Sequence, residues 1–213
     1  MSVLDPAHHE GNLAARTVYA LVHLQQAARA GLTSSARAEG LTPLQANLLI
    51  QVMIGPEAEA TVTRLSQATD LTTPTVSDSL RALVEKGLLT RHEDPEDQRV
   101  GYFKCTEPGM DVARRLMAWT DSLEKAVGEL SDEKQRELLG LLTYLIYSEI
   151  SDNGYRPVAR MCASCKFLAP GAWEESVHYC SALERVLGPL DLRMDCMLHQ
   201  PIYPPKKRKR RRS

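Results

Sequence analysis

LSQATDLTTPTVSDSLRALVEKGLLTR, Leu65–Arg91, reads as two helices joined by a tight turn. A short helix at about residues 62–69 precedes the turn Asp70-Leu71-Thr72. The second helix takes Thr73 as its cap and Pro74 at its first position, and Gly87 stops it. Val76, Leu80, Leu83 and Val84 form one apolar stripe along it. Ser77, Asp78 and Arg81 fall on the polar side of the same turns. Upstream, LTPLQANLLIQV, Leu41–Val52, opens another helix. Thr42 caps it, Pro43 follows, and Gln45 stands three residues on from the cap, the spacing of a capping box. Gly55-Pro56 ends it. Downstream, two β-like runs, Leu88–His92 and Arg99–Cys105, flank a charged turn at 93–98 and read as a hairpin.

Helix, turn, helix and hairpin in that order make a winged helix-turn-helix. In that arrangement the second helix of the pair fits the major groove of duplex DNA, with its N-terminal residues at base edges. The residues so placed are Thr73, Pro74, Thr75, Ser77, Asp78 and Arg81. The hydroxyls can approach bases or phosphates, and Arg81 can meet a phosphate or a guanine edge. Asp78 repels phosphate but can accept from cytosine N4. Two plainer readings stand beside this one: the motif as a protein-interaction module, and Arg81 as a surface ion-pair residue.

Helical patterns flank the motif. Residues 13–30 are Ala-rich with Gly31 as a stop. Val112, Leu116, Trp119, Leu123, Val127 and Leu130 recur at helical spacing, predicting one long helix. A second opens at Ser131 and carries an apolar stripe from Leu138 to Ile146 that is wider than one contact face needs. That width suggests burial against both its own domain and a second subunit.

Over roughly residues 13–150 the chain resembles the MarR family of bacterial transcriptional regulators. The likeness rests on the two stretches quoted above and on DPEDQRVGYFKCTEPG, Asp94–Gly109. It implies a wing element at Asp97-Gln98-Arg99, in which Arg99 enters the minor groove and Asp97 braces the wing. It also implies an obligate homodimer, built from helices at about 13–30 and 107–150, on a pseudo-palindromic duplex operator.

The last quarter of the chain departs from that family pattern. It holds four of the five cysteines, Cys162, Cys165, Cys180 and Cys196, in a loop-rich stretch. So short and irregular a segment buries too little apolar surface to fold without a staple. Four thiolates suit a soft metal. The C-x2-C pair has knuckle spacing, whereas Cys180 and Cys196 stand singly, which favours an iron–sulfur cluster over Zn2+. A thiol–disulfide switch and unliganded buried thiols remain as other readings. His178 and His199 each lie close to a cysteine, either as supporting residues or as replacement ligands. Lys166, Arg160 and Arg193 can compensate thiolate charge, and Phe167, Trp173 and Tyr179 can shield the site. Cys105 stands apart and reads as a small buried hydrophobe.

The formal net charge of −1 conceals an asymmetry. Lys206–Arg212 supplies seven of the 26 Lys and Arg residues, leaving 19 against 27 acids in the rest. Such a tail suits nonspecific contact with phosphates. No apolar run approaches the roughly 20 residues of a membrane span, and no signal-peptide pattern opens the chain, so a bacterial cytoplasm is the expected location.

The expected fold is mainly α with a small β wing: a winged helix-turn-helix dimer plus a short metal-stapled C-terminal segment. The expected division is 1–154 for DNA binding and dimerisation, 155–204 for the cysteine-rich segment, and 205–213 for a disordered basic tail. The expected function is that of a regulator, a repressor, whose binding to duplex DNA is modulated by a redox-sensing iron–sulfur centre. One alternative is a zinc-stapled repressor answering to a small ligand. The other is a thiol oxidoreductase using Cys162 and Cys165, which lacks the βαβ setting such a motif needs. No catalytic residues are expected.

Overall fold

The computed structural model describes residues 10–55, 60–93, 101–152, 160–169, 171, 177–200 and 202. Seven helices and five short strands occur among them. They divide into two compact units, Met1–Ser66 with Leu71–Lys125, and Ala126–Ser213 with Gln67–Asp70.

In the first unit, α1 runs Leu13–Ala38. It passes through Gly31, where the sequence suggested a stop. A Cβ there would stand 3.4 Å from the Trp119 ring, an ordinary van der Waals contact, so Trp119 packs over this position without requiring a glycine. The helix stops at Gly40, whose φ of +65° only glycine adopts without strain. The Leu41 N–H then reaches back 2.8 Å to the Ala36 carbonyl, the signature of a glycine-terminated helix. α2, Pro43–Ile54, has the capping box read from Thr42 and Gln45. The Gln45 N–H donates to Thr42 Oγ1 at 3.2 Å, and the Thr42 N–H donates to Gln45 Oε1 at 3.1 Å.

α3, Val62–Thr69, and α4, Thr73–Glu85, are the helix pair read from the sequence. The cap of α4 is Thr72, one residue earlier than expected, with its Oγ1 accepting from the Thr75 N–H. Val76, Leu80 and Leu83 of α4 are fully buried. They join Leu48, Leu49, Leu89, Phe103 and Leu116 in one core. β1, Leu89–Glu93, and β2, Gly101–Cys105, pair antiparallel, with Arg91 opposite Phe103 and His92 opposite Tyr102. The long helix expected from Val112 onward is broken: α5, Glu107–Met117, gives way to a 3-10 turn at Ala118–Thr120 before α6, Asp121–Gly128. That turn is what sets Trp119 against Gly31. The Arg115 guanidinium ties α5 to the end of α1 through two 2.8 Å bonds to the Glu39 carboxylate.

The second unit holds α7, Asp132–Asp152, and the cysteine-rich segment. That segment is not merely loop. β3, Leu168–Ala169, β4, His178–Cys180, and β5, Arg185–Leu187, form a three-stranded antiparallel sheet. Cys162, Leu168, Leu187 and Leu192 form its small core, with Tyr147 of α7 packed against it. No described helix is long and apolar enough to cross a membrane.

Candidate functional site

On α4 the helical period separates two jobs. The core stripe is buried, while Pro74, Thr75, Asp78 and Arg81 are exposed and Thr73 and Ser77 are half-buried. The Thr72 and Thr75 hydroxyls lie 2.8 Å apart, which fixes the first turn. Arg81 pairs with Asp78 at 3.2 Å, but both side chains are largely exposed, so the pair is weak and yields readily to another anion. Asp97 and Arg99, the remaining residues expected at a DNA interface, lie outside the described residues.

A groove of about 470 Å³ lies between this helix and the wing. Arg64 of α3, Ser77 and Arg81 of α4, Arg91 of β1, and Gly101 and Phe103 of β2 line it. A bridge between Thr61 and Tyr102, with the Phe103 N–H donating to the Ala60 carbonyl at 3.0 Å, sews the start of α3 to β2. Sequence reading missed Arg64 and Arg91. Alternation along β1 puts Arg91 on the side of buried Leu89, which resembles a core position, and only the folded arrangement opens a groove there. On the other face of the hairpin, His92 stacks on Tyr102 at 5.4 Å and the Lys104 ammonium lies 5.5 Å from the same ring.

The four C-terminal cysteines converge. Cys162, Cys165, Cys180 and Cys196 all line one cavity of about 10 Å³, with Leu168, Leu187 and Arg193. Three local devices bring them there. A 3-10 turn at Cys162–Ser164 presents Cys162 and Cys165 together, closed by Cys165 N–H to Cys162 carbonyl at 3.0 Å. Pairing of β3 with β4 sets Cys180 opposite Leu168. Residues 160–162 and 193–196 are joined by Cys162 N–H to Arg193 carbonyl at 2.9 Å and Cys196 N–H to Arg160 carbonyl at 2.8 Å. A bidentate Arg160–Asp195 ion pair at 2.7 and 2.9 Å reinforces the join.

The Arg193 N–H donates to Cys162 Sγ at 3.2 Å. Burial raises the Cys162 thiol above its ordinary pKa, the Arg193 N–H opposes this, and the neighbouring Cys196, Cys165 and Cys180 add to the rise. None of the five cysteines is in a disulfide. Among the described residues no three or more His, Cys, Asp or Glu side chains stand ready-made as a metal-binding group.

The other residues expected around this site disperse. His178 is buried beside the Tyr147 ring, and burial lowers its pKa. His199 Nε2 lies 3.0 Å from Ser164 Oγ. Neither histidine is among the residues lining the cavity. Phe167 does line it, whereas Tyr179 faces outward opposite Val186, and Trp173 lies outside the described residues. Lys166 sits over the Phe167 ring at 5.1 Å. Cys105 packs on the winged-helix core with its Sγ 3.8 Å from the Leu49 carbonyl, and burial pushes its thiol up to about 11.

Residues 39–100 match the family model described as the MarR family. No curated protein sequence matches the chain. Among solved structures, the Staphylococcus aureus MepR–DNA complex is similar at 23% identity and a TM-score of 0.52 over 62% of this chain and 96% of MepR. MepR, a transcription regulator of the S. aureus multidrug efflux pump MepA, gives 0.51 at the same identity and coverages. A further MarR family transcription regulator gives 0.60 at 20% identity over 71% of this chain and all of that one. The fold these structures share is the winged helix of MarR-type regulators, and this chain has it, mainly helical with small antiparallel sheets.

Proposed function

We propose that the chain is a sequence-specific DNA-binding transcription regulator, a repressor acting as a homodimer in a bacterial cytoplasm, whose four C-terminal cysteines hold a metal that modulates DNA binding. The observation that carries the DNA reading is the two-sided α4. Its buried Val76, Leu80 and Leu83 anchor it, and its opposite side offers Thr73, Pro74, Thr75, Ser77, Asp78 and Arg81 next to an arginine-lined groove. That is the geometry by which such a helix reads a major groove. MepR, similar in fold, is known in complex with DNA. Asp97 and Arg99 are proposed as the wing contacts. Dimerisation is supported by apolar side chains left exposed in the single chain: Leu13, Val18 and Leu24 on α1, and Leu139, Leu141, Tyr144 and Leu145 on α7.

For the metal, donor chemistry fits. Four soft sulfurs face one cavity, and a backbone N–H already points at one of them. Spacing in the sequence favours an iron–sulfur cluster. The segment's need for a staple favours a single structural ion. We therefore propose Zn2+ bound by Cys162, Cys165, Cys180 and Cys196, drawn together on binding. Such an ion supplies folding free energy to a segment whose described core cluster is small: Cys162, Leu168, Leu187 and Leu192. The test is metal analysis and visible absorption of protein purified without oxygen. About one zinc per chain and no colour supports this reading. Iron with labile sulfide and a brown colour would replace it with the cluster.

A further inference from the structure

We propose that the groove between α4 and the wing is a phosphate-binding site, in which Arg64, Arg81 and Arg91 together grip one backbone phosphate of duplex DNA. This rests on the DNA-binding reading and adds to it a contact that carries no sequence information. Three arginines line the groove from three different elements. Arginine's planar fork matches the paired oxygens of a phosphate. The nearby acid, Asp78, is held by Arg81 in an exposed pair that a phosphate can replace.

The site is braced. The Thr61–Tyr102 bridge holds the start of α3, which carries Arg64, against β2, the strand paired with the one that carries Arg91. Ser77, Arg81 and Val84 are spaced four and three residues apart, which brings all three to the groove on one helix face. Gly101 gives Arg91 its place. A Cβ at Gly101 would lie 2.8 Å from Arg91 Nε and 3.1 Å from its Nη2, so any side chain there displaces the guanidinium. What it displaces is the far end of a flexible side chain, and the backbone need not move.

Because phosphate contacts are sequence-independent, a random-sequence duplex of about 30 base pairs is a sufficient probe. Fluorescence anisotropy across a salt series gives the slope of log affinity against log salt. Loss of one phosphate contact makes that slope shallower by about 0.9 per groove. The double variant Arg64→Ala/Arg91→Ala should show this change and bind more weakly at every salt concentration, and Gly101→Ala, which displaces Arg91 alone, should show part of it. Arg91→Lys should keep most of the slope. If the double variant fails to fold, Gly101→Ala carries the test. Slopes equal to the parent in folded variants would overturn the phosphate site and leave the DNA-binding reading standing. A parent protein that binds no duplex even at low salt would overturn both.

Discussion

Leu80 and Arg81 are neighbours on α4 that face opposite ways, and replacing each by alanine should break different things. Leu80 is fully buried in the core with Val76 and Leu83. Truncating it removes several methylene contacts and leaves a cavity that helices on either side fill only in part. Leu-to-Ala changes at such sites cost about 3–5 kcal/mol. At roughly 4 °C per kcal/mol for a domain of this size, the melting midpoint should fall by about 12 °C or more. At 25 °C the helix remains in place, so DNA affinity of the folded protein should be nearly unchanged. Arg81 is the reverse case. Its side chain is 66% exposed and its ion pair with Asp78 is worth under about 1 kcal/mol. Arg81→Ala should leave the midpoint almost where it was and weaken DNA binding about tenfold or more, the usual scale for losing one good base or phosphate contact. Circular dichroism melts and anisotropy titrations on the two variants give all four numbers. If Arg81→Ala melts like Leu80→Ala, or binds DNA like the parent, the division of α4 into a core side and a reading side is wrong.

Three further outcomes can be measured, the first drawn from the sequence and the other two from the structure. Arg99→Ala should weaken DNA binding strongly while leaving the dimer intact by sedimentation; unchanged affinity would remove the wing contact. Cys180→Ser should lower bound zinc well below one per chain and lower the melting temperature of the protein in zinc-replete buffer, and an unaltered metal content would remove Cys180 from the site. The Arg115 hydrogen bonds hold the Glu39 carboxyl below its ordinary pKa of 4.5. A carboxylate so lowered stabilises the fold above the unfolded-state value, and that contribution is lost as pH falls through the folded value. Arg115→Ala should therefore flatten the acid limb of the stability–pH curve, measured by denaturant melts; an acid limb identical to the parent's would show that this pair does not contribute.

What was legible in the sequence was what local chemistry decides. The capping box at Thr42 and Gln45 involves residues three apart, and it formed as read. The apolar stripe of α4 is a matter of helical period and was equally plain. Its cap was misplaced by one because Thr72 and Thr73 are the same residue, and Pro74 is tolerated at either of the first two helical positions. Distant contacts were not legible. Gly31 looks like a stop until Trp119 is seen against it, and the apolar repeat from Val112 to Leu130 runs on unbroken across the turn at Ala118–Thr120. β3, β4 and β5 are two or three residues long, too short for an alternating pattern to register, and their pairing is made by the cysteine segment as a whole. The four cysteines were identified by type and spacing, while their common cavity comes from backbone pairing between residues far apart in sequence. Arg64 and Arg91 escaped notice because the groove they share exists only when α3, α4 and the wing come together.

Selection of bound duplexes from a random-sequence pool tests the central claim most directly. The account predicts enrichment of a pseudo-palindrome whose half-sites are centred about one helical turn, roughly 10 base pairs, apart, as two recognition helices of a dimer require. It also predicts that Thr75→Ala and Asp78→Ala together alter that enrichment. A pool that shows no enriched sequence after repeated rounds, or the same enrichment with Arg81→Ala, Asp78→Ala and Thr75→Ala together, would contradict it.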